Sequence, residues 1–311
     1  METTYPQQPP SSDIRSSPKK ARKPQARSLP LREAILAVAA EYERMSLRQL
    51  YYQLVSRGLP KTERAYKRVG DAATQLRLDH SLDYRKIVDG SRTRRPVFQH
   101  GSLGAALETA QDLYRRNYWL DQPRAVEVWC EKDALSGVIQ PVCDRWGVTY
   151  VASRGFPSLT LRYESAMALR ESGKPTKVYY FGDHDASGRA ISANLEGELR
   201  QHGADVRVVR IALEPEQIAD YRLPTRPGKH SDSRQAKFAA TYGAASVELD
   251  ALPPSVLEWL VEDAISREVD YGRWAEAERV ERLERETLAS IVSIPWQPGQ
   301  VYNLPPEQEA S

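Results

Sequence analysis

The stretch that decides the fold is residues 179–188, which read YYFGDHDASG. An apolar run ends here at two carboxylates, Asp183 and Asp185, and a glycine-containing turn leads into a helical pattern. A similar apolar run, residues 126–130, ends at Glu131. In an open α/β sheet, ligands bind at the carboxyl ends of the strands. The three acids are therefore expected to meet at one edge of a parallel sheet.

These acids predict a divalent-metal site. Magnesium prefers hard oxygen ligands and usually keeps several waters, so two or three carboxylates are enough to hold one or two Mg²⁺ ions. Beside a phosphodiester, such ions polarise the phosphate. Lys132 could add positive charge there, and His184 could be a ligand or a neighbour that contacts the acids. The structural alternative is that Asp-x-Asp after a strand forms a helix N-cap.

Strand and helix patterns alternate from about residue 124 onward. Alternation of this kind predicts an α/β fold with a parallel sheet and helices on both of its faces. The predicted strands are 126–130, 148–152, 178–181 and 206–211, and the predicted helices between them are 134–146, 158–171 and 186–202. The predicted domains are a disordered basic tail (1–28), a winged-helix DNA-binding domain (29–100), a connecting helix (101–123), a metal-binding domain (124–265), and a charged C-terminal helix and tail (266–311).

The first hundred residues are basic. They carry 20 Lys and Arg against 10 Asp and Glu, whereas the rest of the chain carries 24 against 32. This asymmetry predicts a half that faces nucleic acid. A capping box at Ser46 and Gln49, a helix at 62–78 and a possible hairpin turn at 87–90 form a winged-helix pattern. The side chains expected to neutralise DNA phosphates are Arg64, Lys67, Arg68, Arg92, Arg94 and Arg95.

The second helix carries two adjacent tyrosines. Apolar residues recur at helical spacing and include Tyr51 on the buried face. Arg48 and Tyr52 lie one turn apart on an adjacent face, where Tyr52 is predicted to be exposed. A tyrosine hydroxyl can attack a phosphodiester and leave a covalent phosphotyrosine link, while an arginine orients the phosphate. The alternative is that both tyrosines are core or interface aromatics.

Composition argues against several other classes of protein. The hydrophobic content of 41% supports a folded core, and no apolar run approaches the roughly 20 residues of a membrane span. The first residues are polar and basic and show no secretory signal. Cys130 and Cys143 lack zinc-ligand spacing. We therefore expect a cytoplasmic protein with no membrane partner.

The acidic pattern over about residues 124–215 resembles the Toprim domain, which has a Glu after its first strand and an Asp-x-Asp after a later one. A basic helical segment with Arg-x-x-x-Tyr ahead of a Toprim domain resembles the A subunit of topoisomerase VI and the related meiotic Spo11 proteins. Compact Toprim proteins of phage and plasmid genomes have a similar appearance. Gly155, Glu248 and Asp250 resemble further motifs of the family, whereas His184 and residues 222–233 match none.

The resemblance implies that Glu131, Asp183 and Asp185 bind Mg²⁺ and that Tyr52, helped by Arg48, becomes linked to a 5′ end of double-stranded DNA. It implies a homodimer, in which each tyrosine meets the metal site of the other protomer, and a separate ATPase subunit for strand passage. The chain would be a type II-like DNA-cleaving subunit. Two alternatives stay open: a Toprim nuclease that uses metal-activated water, and a non-catalytic DNA-binding accessory protein.

Overall fold

The computed structural model of the chain describes residues 31–89, 97, 99–227, 234–297 and 299. Its contacts define two compact units. Of the described residues, the larger unit contains 31–89, 122–227 and 234–269, and the smaller contains 97, 99–121, 270–297 and 299. The tail predicted at 1–28 lies outside the described residues, and the predicted domain boundaries stay predictions.

The strands are β1 (Met45–Ser46), β2 (Ile87–Val88), β3 (Ala125–Cys130), β4 (Thr149–Ala152), β5 (Thr176–Phe181), β6 (Val206–Ala212), β7 (Arg226–Pro227) and β8 (Ala245–Ser246). The α-helices are α1 (Leu31–Glu41), α2 (Leu47–Val55), α3 (Glu63–Leu78), α4 (Leu103–Leu113), α5 (Ser136–Trp146), α6 (Leu159–Glu171), α7 (Ala186–Arg200), α8 (Pro215–Asp220), α9 (Gln235–Tyr242), α10 (Pro254–Ser266) and α11 (Tyr271–Val292). Short 3₁₀ helices lie at Tyr84–Lys86, Asp133–Leu135 and Leu249–Ala251.

The core of the larger unit is a parallel sheet with the strand order β4-β3-β5-β6. All four strands predicted from the sequence are present, with ends shifted by at most two residues. Side chains of α6 and α7 pack with Trp129, Val178 and Tyr180 in one buried cluster. The predicted α/β class, with a parallel sheet flanked by helices, is confirmed.

The order in which strands are added to the sheet changes sides at β3, between β3 and β5. From β3 the chain passes through α5 to β4 on one side, and then crosses to β5 on the other side of β3. α5 ends at Gly147, which adopts the left-handed conformation (φ 63°) that terminates helices. The gap between two strands whose connections diverge is the usual ligand site of such sheets. The acids that follow β3 and β5 flank this gap.

The helical segment before the sheet confirms the predicted capping box. The Ser46 hydroxyl accepts a hydrogen bond from the Gln49 amide at 3.1 Å, and the Ser46 amide donates to the Gln49 side chain at 2.9 Å. The turn predicted at 87–90 is different, because β2 pairs in parallel with β1. This pairing buries Ile87 beside Met45. A winged helix is not confirmed, and Arg92, Arg94 and Arg95 lie outside the described residues.

The smaller unit pairs α4 with α11. Tyr118 and Trp119 meet the ring of Trp274 edge-on, with ring centroids 4.7 and 6.0 Å away. The buried Glu281 carboxylate accepts a hydrogen bond from the Arg285 side chain at 2.8 Å. The connecting helix predicted at 101–123 is shorter than expected and ends at Leu113. None of the helices in the described part of the chain combines the length and apolar character that crossing a membrane requires.

Glu268, just after α10, ties that helix to the sheet. Its carboxylate accepts hydrogen bonds from the Lys177 ammonium and the Tyr179 hydroxyl of β5, both at 2.7 Å, and from Arg124 at 3.1 Å. Burial opposes its ionisation, but these donors outweigh burial, so the pKa of Glu268 lies below its ordinary value. The folded state therefore favours the ionised carboxylate.

We expect Glu268→Gln to lower the free energy of unfolding at pH 7 by about 1 to 2 kcal/mol, because bonds to a charged group are lost. A lowered pKa gives stability that is present above the unfolded-state pKa, about 4.3, and lost as pH falls through the folded-state value. Urea unfolding from pH 7 to pH 3 should show the two proteins converging in acid. Glu276→Gln, at an exposed pair with Arg279, is the control and should have little effect. A difference between Glu268→Gln and wild type that persists unchanged at pH 3 would contradict the assignment.

Candidate active site

The sheet brings the three predicted acids together. Cys130 and Phe181, the last residues of β3 and β5, pair in register, and the Glu131 amide donates to the Phe181 carbonyl at 2.8 Å. The Glu131 carboxylate in turn accepts a hydrogen bond from the Asp183 amide at 3.0 Å. Burial, and after it the charges of Asp183 and Asp185, raise the pKa of Glu131.

Two glycines allow this close approach. A Cβ atom on Gly182 would lie 2.8 Å from the Glu131 carboxylate, and one on Gly188 would lie 3.0 Å from it and 2.3 Å from the Asp183 carbonyl. Real Cβ atoms do not approach other atoms so closely. Residues other than glycine would therefore push the Asp183 loop away from Glu131.

Asp185 has the structural role that the sequence left open. Its Oδ1 accepts a hydrogen bond from the Gly188 amide at 2.8 Å, which makes Asp185 the N-cap of α7. Its other oxygen, Oδ2, lies 3.6 Å from a guanidinium nitrogen of Arg226. Capping uses one oxygen of the carboxylate, so the second oxygen is available to the site.

A second acidic segment joins the first through a backbone bridge. His184 and Val247 exchange hydrogen bonds of 2.9 and 3.0 Å between their amides and carbonyls. The bridge places Glu248 and Asp250 beside Asp183, whose Oδ1 accepts from the Leu249 amide at 2.8 Å. Glu248 and Asp250, which resemble a later motif of the family, therefore lie in the same site as Asp183.

Lys132 lies at the centre of these carboxylates. Its ammonium is 2.5 Å from Asp250, 3.0 Å from Asp183 and 3.4 Å from Glu248. Burial disfavours the ammonium charge, but the three acids outweigh burial and raise the pKa of Lys132. Asp250 is 0% exposed, and its second oxygen has no hydrogen-bond partner among the described residues.

The carboxylates nevertheless remain crowded. Burial, together with the charge of Asp183, raises the pKa of Glu131 to about 7. Burial also raises the pKa of Asp183, despite Lys132 and the Leu249 amide. Carboxylates that are hard to ionise together favour either proton sharing or a bound cation.

Helix α2 reaches this site through an ion pair. The Arg48 Nε and one Nη atom lie 2.6 and 2.5 Å from Oε2 of Glu248. Arg226, which sequence analysis missed, binds the other oxygen, Oε1, at 2.8 Å. Burial works against ionisation of Glu248, but Lys132, Arg48 and Arg226 outweigh it and hold its pKa at about 2.

The exposure predicted for Tyr52 is wrong. The residue is only 3% exposed, and helix α2, which carries it, packs against the 3₁₀ helix Leu249–Ala251. Tyr51 is also buried and donates its hydroxyl to the Thr62 carbonyl at 3.2 Å. Burial and the charge of Glu248 raise the pKa of Tyr52 to about 12, although Arg48 and other cations oppose the rise.

His184 belongs to an aromatic cluster. Its ring lies 5.2 and 5.3 Å from the rings of Phe238 and Tyr242, and its Nδ1 is 3.0 Å from an Arg189 nitrogen. Burial and the charge of Arg189 lower the pKa of His184. The ring contacts found for His184 are thus with aromatic rings, Arg189 and the Leu213 carbonyl rather than with the acids.

Arg210 of β6 is a second site residue that sequence analysis missed. Its guanidinium donates to the carbonyls of Gly182, Asp183 and Gly188 at 2.8, 2.6 and 2.9 Å. These bonds fix the backbone that carries both aspartates. The one available signal was the second of the two arginines in the strand pattern VRVVRIA, which lies near the carboxyl end of the strand.

Other predicted residues take simpler places. The amide of Gly155 (φ 88°) donates to the Glu131 carbonyl at 3.1 Å, so this turn borders the site. Arg64, Lys67 and Arg68 are exposed on α3. The remaining predicted DNA ligands, at 92, 94 and 95, lie outside the described residues.

The donor chemistry of the site fits magnesium, but its present side-chain arrangement favours ion pairs. Within the described part of the chain, no three His, Cys, Asp or Glu residues are arranged to hold a metal ion. Lys132 and Arg226 form ion pairs with the acids instead. Mg²⁺ needs few protein ligands and would relieve the crowding of Glu131 and Asp183. The unpaired oxygen of buried Asp250 is a further hard donor.

Comparison with protein-family models found no match. Comparison with curated proteins also found none. Family membership is therefore not shown, and the function has to be argued from the residues of the site.

We expect Gly188→Ala to destabilise the protein by about 2 to 3 kcal/mol, as overpacking against backbone does. The matched control is Gly197→Ala in the same helix, where a Cβ meets nothing within 4 Å. That change should stabilise by about 0.5 to 1 kcal/mol, because alanine favours the helix. Thermal unfolding measures both. Similar effects of the two substitutions would mean that the close approach at Gly188 is not required.

Proposed function

We propose that the chain is a magnesium-dependent enzyme that cleaves double-stranded DNA, with Tyr52 as the nucleophile, in the manner of the topoisomerase VI A subunit. The observation that carries the proposal is the ion pair between Arg48 and Glu248. It joins the helix that bears Tyr52 to the acidic edge of the sheet. In this proposal the nucleophile, the phosphate ligand and the metal ligands share one site.

The acids Glu131, Asp183 and Asp185 would hold magnesium. When bound, the metal would polarise the scissile phosphate and stabilise the charge on its oxygens. The ammonium of Lys132 contacts both Asp183 and Asp250 and offsets part of their mutual repulsion. The positions of these groups are preset by the sheet and its loops, which is what electrostatic stabilisation of a transition state requires.

In the proposed step the Tyr52 oxygen bonds to phosphorus and the bond from phosphorus to the 3′-side oxygen breaks. The DNA then carries a 5′ end linked to protein and a free 3′ hydroxyl. A phenol with a pKa of about 12 is protonated at neutral pH. In the step its proton passes to solvent, and the leaving 3′ oxygen takes up one proton from solvent. The positive charges of Arg48, Lys132 and Arg226 favour the phenolate. DNA binding must also uncover the buried ring.

Duplex DNA would lie along the basic helix α3. Arg64, Lys67 and Arg68 are exposed there. The affinity of such side chains for DNA phosphates falls as the salt concentration rises. We also propose that this segment acts as a winged helix and that Arg92, Arg94 and Arg95 contact DNA phosphates.

A homodimer would place two sites on opposite strands and produce a double-strand break, and a separate ATPase subunit would be needed for strand passage. The contact between Arg48 and Glu248 forms within one chain. A second copy is therefore not needed to bring α2 to the acids. Dimerisation would instead set the spacing of two complete sites.

The second candidate is a Toprim nuclease in which metal-activated water attacks. The observation that favours it is the burial of Tyr52, which is 3% exposed and has a raised pKa. In this case Tyr52 packs α2 against residues 249–251, and the acids alone carry the chemistry.

Tyr52→Phe decides between the two. Supercoiled DNA is incubated with protein and Mg²⁺, denatured, and run with and without protease digestion. If tyrosine attacks, wild type yields protein-linked 5′ ends and Tyr52→Phe loses cleavage by at least about a hundredfold, as loss of a nucleophile does. Tyr51→Phe, next to it and also buried, should keep cleaving. Cleavage by Tyr52→Phe at the wild-type rate would establish the water mechanism instead.

Double replacement of Arg64 and Lys67 by Gln should weaken binding to all DNA sequences alike. The slope of log K against log salt should fall by about one unit for each lost phosphate contact. The control is Arg207→Gln, whose side chain is exposed at the start of β6, away from the acidic edge. Fluorescence anisotropy with a labelled duplex measures the slopes. An equal effect of the control, per charge removed, would argue against a DNA-binding face on α3.

A further inference from the structure

We propose that Arg226 and Arg48 form a two-armed clamp for a DNA phosphate, and that the Glu248 carboxylate occupies this clamp in the free protein. The inference rests on the proposed function and deepens it. It names a second phosphate ligand, which the family resemblance does not supply, and an internal anion that competes with DNA.

The geometry is that of an anion held between two guanidinium groups. Arg48 binds Oε2 of Glu248 at 2.6 and 2.5 Å, and Arg226 binds Oε1 at 2.8 Å. Each oxygen of the carboxylate thus has its own arginine. A phosphodiester presents two non-bridging oxygens in a similar way, and planar guanidinium groups bind both kinds of anion through paired hydrogen bonds.

The arms reach solvent, whereas the internal anion does not. The side chain of Glu248 is 4% exposed, but those of Arg48 and Arg226 are 45% and 27% exposed. A guanidinium has five N–H donors, and the bonds to Glu248 use two nitrogens of Arg48 and one of Arg226. An anion that arrives from solvent therefore meets both arginines before it meets the carboxylate.

Both arms are anchored to the same support. Strand β7 pairs Arg226 with Ser246 of β8, two residues before Glu248. The Lys61 ammonium, in the loop after α2, donates to the carbonyls of Pro224 and Thr225 at 3.3 and 3.1 Å. This tether links the segment that carries Arg226 to the helix that carries Arg48. The second arm is therefore held in place by contacts of its own.

The test measures DNA binding in EDTA, where cleavage does not contribute. Glu248→Gln removes the internal anion and should steepen the slope of log K against log salt by up to about one unit, since the clamp holds one phosphate and about 0.9 arises from each phosphate contact. Arg226→Gln should flatten the slope by about one unit. Arg226→Lys should keep the slope near the wild-type value but bind less tightly, because the charge remains and the planar fork is lost.

The matched controls are Glu262→Gln and Arg145→Gln, which break a partly exposed pair of 3.2 Å. Arg145 is 45% exposed, like Arg48, but lies at the end of α5, at the opposite edge of the sheet from the acids. These variants change net charge equally and should leave the slope unchanged. If Glu248→Gln leaves the slope at its wild-type value, or if Arg226→Gln matches Arg145→Gln, the clamp is refuted and the ion pair is only structural.

Two further outcomes are informative. If Glu248→Gln does not fold, as circular dichroism would show, the contrast between Arg226→Gln and Arg226→Lys decides by itself. If wild type binds no DNA, the proposed function fails, and calorimetry with inorganic pyrophosphate then tests the clamp directly. Pyrophosphate binding that strengthens in Glu248→Gln and weakens in Arg226→Gln would support the clamp, and equal binding by all variants would overturn it.

Discussion

The ammonium of Lys132 is the interaction on which the rest of the site depends. It contacts one carboxylate from the loop after β5 and two from residues 248–250. Buried like charges repel strongly, and removal of one partner of a buried ion pair typically costs about 3 to 5 kcal/mol. Because Lys132 follows Glu131 directly, the end of β3 supplies both an acid and a cation. That cation offsets the repulsion among the three carboxylates it contacts.

Backbone constraints complete the arrangement. Arg210 donates to the carbonyls of Gly182, Asp183 and Gly188. The bridge between His184 and Val247 fixes the second acidic segment. Gly188 has no Cβ, which would otherwise clash with the Asp183 carbonyl and crowd the Glu131 carboxylate. These bonds of Arg210 and of the bridge use only backbone oxygens as acceptors. Three backbone amides also bind carboxylate oxygens of the site, one each on Glu131, Asp183 and Asp185. The scaffold therefore holds one oxygen of each acid and positions the other.

Local patterns in the sequence were sufficient for the sheet and for the meeting of the three acids, because parallel strands bring their carboxyl ends to one edge whatever the loops do. The capping box at Ser46 was also predictable, since it involves residues only three apart. The packing of α2 against residues 249–251 was not predictable, because those residues come from a distant part of the chain, and Tyr52 of α2 is buried. Arg226 was missed for a similar reason: its position depends on a two-residue strand pair that leaves no periodic signal.

The buried tyrosine and the proposed clamp are physically connected. An ordinary tyrosine with a pKa near 10 already costs about 4 kcal/mol to ionise at pH 7, and burial with Glu248 nearby increases that cost for Tyr52. Arg48 and Tyr52 lie one helical turn apart on the face of α2 that meets the second acidic segment. A phosphate that draws Arg48 away from Glu248 would therefore loosen the contact that buries Tyr52. In the proposed mechanism, substrate binding and exposure of the nucleophile are one event, so an unoccupied site keeps its tyrosine protected.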